Sequence, residues 1–397
     1  MRVIILVIDG LGIGEHYDVK EKRFQDINSN TLLSIHKTKS LKNTFIDFVG
    51  LLDNNKLSQG YLKKKRYFTT RAELSYYGAD SNLGHLAISG KLSGCQKVFL
   101  DDIKDAIIDL FKSDYDVRYE NGLINLEDRI FISNNIECDP GININVLGTL
   151  DNTEYCEILK VGKLVRENIS VSRVIVMGGK NLSKHTVYKS IEERDSGDGN
   201  TFIGINIPKA DIYNEHDRVV HLSYSEETDE HMLKILSRED IPITLIGKTA
   251  DLFQNLNADY IPMISTKGVM KTLYKKIKIQ NNGLIFANVQ ELDLAGHLED
   301  PMQCHKVLST INDEFFSIVD GLKEDDIFII TADHGNDPLI GHAYHTREYV
   351  PLIVISNTIS LLNSYTKSNL CDIGYTVTNI LSGKETEAGK KIFNFKK

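Results

Sequence analysis

Apolar residues along this chain gather in short runs that stop abruptly at polar ones. VIILVI ends before Asp9, ITLIG before Lys248, GLIFANV before Gln290 and DIFII before Thr331, and PLIVIS closes the series. Short runs with so little alternation predict strands buried on both faces, as in a parallel sheet. Between them, MQCHKVLSTINDEFFSIVDGL and CDIGYTVTNILSG place apolar residues at helical spacing. The two ends of the chain therefore alternate strand and helix in the manner of an open α/β sheet. Ligands of such sheets collect at the carboxyl ends of the strands. Asp9, Lys248 and the segment TADHGNDPLIGHAYHTREYVP, residues 331 to 351, fall at those ends.

The middle of the chain has another texture. From about residue 96 to 220 it is richer in Asn and Asp, with strand candidates SRVIVMGG and TFIGINI and a GDGN turn at 197 to 200 suited to a hairpin. This predicts an inserted second domain, 96–220, in a core made of 1–95 and 221–397. The basic run KKKR at 63 to 66 reads as a solvated loop or helix face.

Composition narrows the class. At 397 residues, 41% hydrophobic and 25% charged, the chain has enough apolar material for a large core. A net charge of -9 offers no general attraction to nucleic acid. Cys95, Cys138, Cys156, Cys304 and Cys371 are scattered without CxxC pairing, which suits a reducing cytoplasm. The opening apolar run is too short for a signal peptide, and nothing later approaches the roughly 18 apolar residues of a membrane span. The expectation is a cytoplasmic protein that uses neither membrane nor nucleic acid.

The candidate chemistry comes from several places. Asp9 is followed by GLGIGE, whose glycines let backbone approach a ligand. GADSNLGH offers Ser81 beside Asp80, without the GxSxG elbow of ordinary serine hydrolases. ELDLAGHLED supplies Asp293 and His297, which share a face of any helical turn. The last segment adds Asp333, His334 and His345. Taken singly, each has a plain structural reading as a cap, a turn or a surface pair. Taken together, six Asp and His donors emerge at strand ends on one side of one sheet. Such mixed oxygen and nitrogen donors suit manganese first, with magnesium or zinc as alternatives. Two ions about 4 Å apart clamp a transferring phosphoryl group and activate a hydroxyl, which makes Ser81 the candidate nucleophile.

These residues resemble the alkaline phosphatase superfamily and, within it, the phosphopentomutase family. VIDGLGIGE is similar to that family's opening strand and metal aspartate, and GADSNLGHLAISG to its nucleophile turn. GKTADLF and GLIFANVQELDLAGH resemble its middle core strands, and TADHGNDPLIGHAYHTREYVPLIV its most specific segment. The resemblance implies an alkaline-phosphatase-like α/β core, a mostly parallel sheet flanked by helices, with an inserted smaller α/β cap domain. It implies that Asp9, Asp333, His334 and the Ser81 oxygen hold one cation while Asp293, His297 and His345 hold the other. The implied activity is an isomerase reaction: interconversion of ribose or deoxyribose 1-phosphate and 5-phosphate through a phosphoserine enzyme. A sugar bisphosphate activator would fit that cycle, and its place would be nucleotide and pentose phosphate metabolism. The alternative is a mutase or phosphohydrolase acting on another phosphorylated sugar or small phosphate ester.

Three positions depart from the family pattern. Ser81 stands where phosphopentomutases carry threonine. DLAGH is one residue tighter and resembles the related phosphoglycerate mutases. SRVIVMGGKNLSKH keeps Arg173 but not the arginine-proline pair that follows the cap's central strand in the family. A phosphate monoester needs cations, and Arg173 and Lys248 are the expected substrate-binding pair, guanidinium for its bidentate fork and ammonium as a point charge.

Overall fold

A computed structural model describes every residue except 53–57, 93–95, 197–199, 208, 211–217, 224–229, 362–367 and 396–397. The chain divides into two compact units, Met1–Ser93 with Thr228–Lys397, and Gly94–Glu227.

The first unit is built on a sheet whose strands run, from one edge, Asp259–Ile261, Ile243–Ile246, Gly283–Val289, Arg2–Ile8, Ile327–Thr331, Val350–Ile355, Lys65–Glu73 and Ser368–Asn369, with Ser58–Leu62 pairing to Lys65–Glu73. The first five are mutually parallel. Val350–Ile355 runs against both of its neighbours, which restores Lys65–Glu73 to the common direction. Every residue of Arg2–Ile8, Gly283–Val289 and Ile327–Thr331 is buried. Burial on both faces requires cover on both sides, and their unalternating sequences reflect it. One group of helices centres on Pro301–Gly321, which packs on Thr266–Ile279 and Thr31–Thr38. Another centres on Cys371–Ser382, which packs on Ser81–Ile88 and Met232–Arg238.

This topology puts the chemistry on one edge of the sheet. The parallel strands end at Ile8, Ile246, Val289 and Thr331, so Asp9, Lys248, the helix Glu291–His297 and Asp333 all leave from the same edge. Because Val350–Ile355 is reversed, it begins there, and the loop carrying His345 arrives on the same side. Lys65–Glu73 also ends there and leads to Ser81.

The Gly94–Glu227 unit has its own mixed sheet, in the order Arg218–Ser223, Arg173–Gly179, Asn143–Thr149, Ile130–Asn135, Thr201–Ile205, Ile191–Asp195, with a hairpin of Val117–Glu120 and Leu123–Leu126 joined to Ile130–Asn135. Its helices Leu100–Phe111 and Tyr155–Asn168 bury Ile107, Phe111, Ile158, Val161 and Val165 against Ile132, Ile144, Val146, Val174 and Val176. The expected GDGN turn lies largely outside the described residues, but Ile191–Asp195 and Thr201–Ile205 on either side of it pair antiparallel.

KKKR is an exposed hairpin turn at Lys63 and Lys64, as a solvated loop would be, and not a helix face, and it runs on into the strand Lys65–Glu73. Leu62 pairs with Lys65 across a two-residue turn in which Lys63 and Lys64 have φ of 46° and 67°. Two consecutive positive φ values are the geometry of the tight hairpin turn whose twist matches its strands. Asn-Gly is the usual signal for it, and two lysines conceal it.

Candidate metal centre

Ser81 is the first residue of the helix Ser81–Ile88, and the Asp80 side chain caps that helix by accepting from Leu83 N–H at 3.0 Å. The turn expected at GADSNLGH is thus a helix start, where the positive end of the backbone dipole faces the hydroxyl. Gly84 lets the helix lie on the Asp333 backbone, since a Cβ there would stand 2.5 Å from the Asp333 carbonyl oxygen.

Two buried carboxylates and a half-buried lysine converge on Ser81. Its hydroxyl donates to Asp333 Oδ2 and lies 3.5 Å from Asp9 Oδ1. Lys248 Nζ is 2.7 Å from Ser81 Oγ and 2.8 Å from Asp9 Oδ2. Lys248 therefore stands among the candidate ligands rather than apart from them. His334 Nε2 is 3.2 Å from Asp333 Oδ2 and 3.5 Å from Asp9 Oδ1. Asp9, Asp333 and His334 are wholly buried and offer ligand atoms within 4.8 Å of one another.

The second group adjoins the first. Asp293 and His297 sit four residues apart on the helix Glu291–His297, with Asp293 Oδ2 3.4 Å from His297 Nε2. Asp293 Oδ1 is 3.4 Å from His345 Nε2, and the two histidine Nε2 atoms face each other at 3.1 Å. Asp293, His334 and His345 also offer donors within 4.8 Å of one another, and the His334 and His345 rings stack at 3.8 Å. His334 is therefore at the junction of the two groups.

The outer nitrogens decide what the inner ones can do. His297 Nδ1 meets the Ala343 carbonyl at 2.7 Å, His345 Nδ1 the Ala79 carbonyl at 2.6 Å, and His334 Nδ1 the Gly335 carbonyl at 3.0 Å. A carbonyl accepts only, so each Nδ1 carries a proton, and Nε2 is the ring atom turned inward, free to serve as a ligand once it carries no proton. Three inward Nε2 atoms beside three buried carboxylates form a donor set that fits divalent cations, with the backbone carbonyls orienting the imidazoles.

Electrostatics points the same way. Burial raises the Asp9 pKa, and the Asp333 charge adds to it. Burial works upward on Asp333 and Asp293 too, but His334 and His85 beside the first, and His345 and His297 beside the second, hold both well below the usual carboxylate range. Burial alone would lower Lys248, yet Asp9, Asp333 and Asp293 raise it. His334 is pushed up to about 10 despite its burial, chiefly by Asp333. The pocket thus favours positive charge at each of these positions.

A family model described as the metalloenzyme superfamily matches residues 1–385. The chain belongs to that superfamily. Among its curated relatives, the phosphopentomutase of Alkaliphilus oremlandii (strain OhILAs) is 26% identical, over 99% of this chain and 98% of the relative. That of Clostridioides difficile (strain 630) is 36% identical over a shorter stretch, 40% of this chain and 41% of the relative. Among solved structures, Leishmania mexicana phosphoglycerate mutase superposes with a TM-score of 0.53 at 12% identity, covering 99% of this chain and 98% of that one. That likeness confirms the alkaline-phosphatase-like α/β fold expected from the sequence. None of the described helices is long and apolar enough to cross a membrane.

This metalloenzyme superfamily member also uses residues that sequence reasoning left unassigned. His85, one helical turn after Ser81, places Nδ1 2.8 Å from the Ser81 carbonyl and 3.2 Å from Asp333 Oδ2. Its Nε2 is 2.9 Å from the Asn288 amide, which donates to Asp9 Oδ2 at 3.0 Å. Spacing from Ser81 was a usable signal for His85. Asn288 was marked by being a polar residue inside GLIFANV, where a buried amide needs a partner. Arg173 belongs to the other unit, where it opens the half-buried end of the strand Arg173–Gly179 and pairs in register with Asn143 and Ser223.

Proposed function

We propose that this protein is a metal-dependent phosphomutase of the phosphopentomutase type, moving a phosphoryl group between O1 and O5 of ribose or deoxyribose through phosphorylated Ser81. The observation that carries this reading is the Ser81 hydroxyl, set at a helix start and held against Asp9, Asp333 and Lys248. Full-length similarity to phosphopentomutases supports the sugar. Asp9, Asp333, His334 and Ser81 Oγ would hold one divalent cation, manganese by preference, and Asp293, His297 and His345 the other. Such ions stabilise the charge that develops on phosphoryl oxygens.

The protein's own groups do the rest. Ser81 Oγ attacks phosphorus as the bond from phosphorus to the sugar oxygen breaks, and the proton lost by Ser81 is regained by that oxygen. In the second half the other sugar hydroxyl attacks, and Ser81 is restored. The helix start favours negative charge on Ser81 and on its phosphate. Lys248, at 2.7 Å from Ser81 Oγ, supplies a fixed ammonium for the reacting phosphoryl group. The Gly94–Glu227 unit is proposed as the cap and Arg173 as its phosphate ligand.

Incubation with manganese and ribose 1-phosphate, followed by phosphorus NMR, should show ribose 5-phosphate. Inorganic phosphate as the only product would replace the mutase with a hydrolase. If Arg173 binds substrate phosphate, Arg173→Ala should reduce kcat/KM for the pentose phosphate about 10-fold to 100-fold, a loss of one charge-assisted contact. Hydrolysis of a small aryl phosphate, with no second anchor, should change little. Equal losses on both substrates would remove Arg173 from the substrate site.

A further inference from the structure

Glu348 is a fully buried carboxylate whose hydrogen bonds, among the described residues, go to Gly14, Thr31 and Thr346 and not to the residues assigned to the ions. It accepts from the main-chain N–H of Gly14 and of Thr31, each at 3.0 Å, and from the hydroxyls of Thr31 and Thr346, each at 2.7 Å. The backbone is cleared around it. A Cβ on Gly12 would stand 2.2 Å from Glu348 Oε2, and one on Gly335 would stand 2.6 Å from Oε1. Three segments are therefore tied at one carboxylate: the loop after Asp9 through Gly14, the start of the helix Thr31–Thr38, and Thr346 just after His345, with Gly335 packed close against it.

The tie continues toward the centre. Thr31 Oγ1 donates to Glu348 and accepts from Asn336 N–H at 3.0 Å. The Asn336 side-chain amide then donates to Asp293 Oδ1 at 2.8 Å and to the Asp293 carbonyl at 3.2 Å. Gly296 makes room for that amide, since a Cβ there would lie 2.4 Å from Asn336 Cγ. A carboxylate is a broad rotor about its last torsion. Pinning Oδ1 from one side keeps Oδ1 toward His345 and Oδ2 toward His297, at 3.4 Å each.

We propose that Asn336 is a positioning residue for the Asp293 half of the centre, held in place by Glu348 through Thr31. The inference rests on the assignment of Asp293, His297 and His345 to one ion. It goes beyond that assignment in naming what orients the carboxylate.

The test is calorimetric titration of the metal-stripped full chain with Mn²⁺, with circular dichroism as a check on folding. Asn336→Leu keeps the volume and removes the donor. It should weaken one of the two ions about 10-fold to 100-fold, the usual cost of losing an outer partner, and leave the other as in the wild type. Raising Mn²⁺ should restore kcat, because no group that touches the substrate has been removed. Thr31→Val breaks the tie one step further out, should weaken the same ion by less, and carries the test if Asn336→Leu does not fold. Unchanged binding in the variants, or equal weakening at both ions, would overturn the inference while leaving a two-ion wild type intact. A wild type that binds fewer than two ions would instead overturn the assignment beneath it.

Discussion

Ser81→Ala is expected to abolish turnover, with a loss on the order of 10⁴-fold or more, as when a covalent nucleophile is deleted. No phosphoenzyme should form. Both ions should remain, because all six Asp and His donors are untouched and the Asp333 carboxylate keeps His334 and His85 beside it. The fold should remain as well, since Asp80 still caps the helix through Leu83. Ser81→Thr should retain measurable activity by restoring the residue of the phosphopentomutases that the sequence resembles. Mass spectrometry of protein quenched with substrate checks the assignment directly. Phosphate on a different residue, with none on the peptide containing Ser81, would refute it.

Asp333→Asn is expected to cost one ion per chain and at least about a thousandfold in activity. The side chain is wholly buried, accepts from Ser81 and from the main-chain N–H of Gly10 at 3.2 Å, and lies 3.2 Å from His334 Nε2. The amide keeps this shape but removes a charge where a cation would sit, and several kcal/mol of Coulomb attraction at this range cannot be replaced. The change should also reach its neighbours before any metal is added. His334, held at about 10 chiefly by Asp333, should titrate lower, and Asp9 should lose the repulsion that adds to its raised pKa. Elemental analysis that finds two ions retained would contradict the assignment of Asp333.

The linear chain specified a good deal of this. Unalternating apolar runs announced buried strands because a strand covered on both faces has no solvent side to mark. The polar residue at the end of each run was legible for the same reason: the chain leaves the sheet there, and Asp9, Lys248 and Asp333 stand at those exits. Asp293 and His297 could be paired from spacing alone, since a helical turn brings positions four apart onto one face. What spacing cannot express is which lone pair points where. That His297, His334 and His345 turn Nε2 inward depends on carbonyls of Ala343, Gly335 and Ala79, and the Ala79 carbonyl is distant in sequence from the ring it orients. His85 has no role legible in its own motif because its partners come from elsewhere, Asn288 from the strand Gly283–Val289 and Asp333 from just past the end of the strand Ile327–Thr331. Lys248 was expected to serve substrate alone, and only the convergence of strand ends puts its ammonium on Asp9 and Ser81. Nothing in the sequence HTREYVP marks Glu348. Folding buries it where Gly12, Thr31 and Gly335 meet, and long-range contacts of that kind are decided by packing in three dimensions, to which local periodicity is blind.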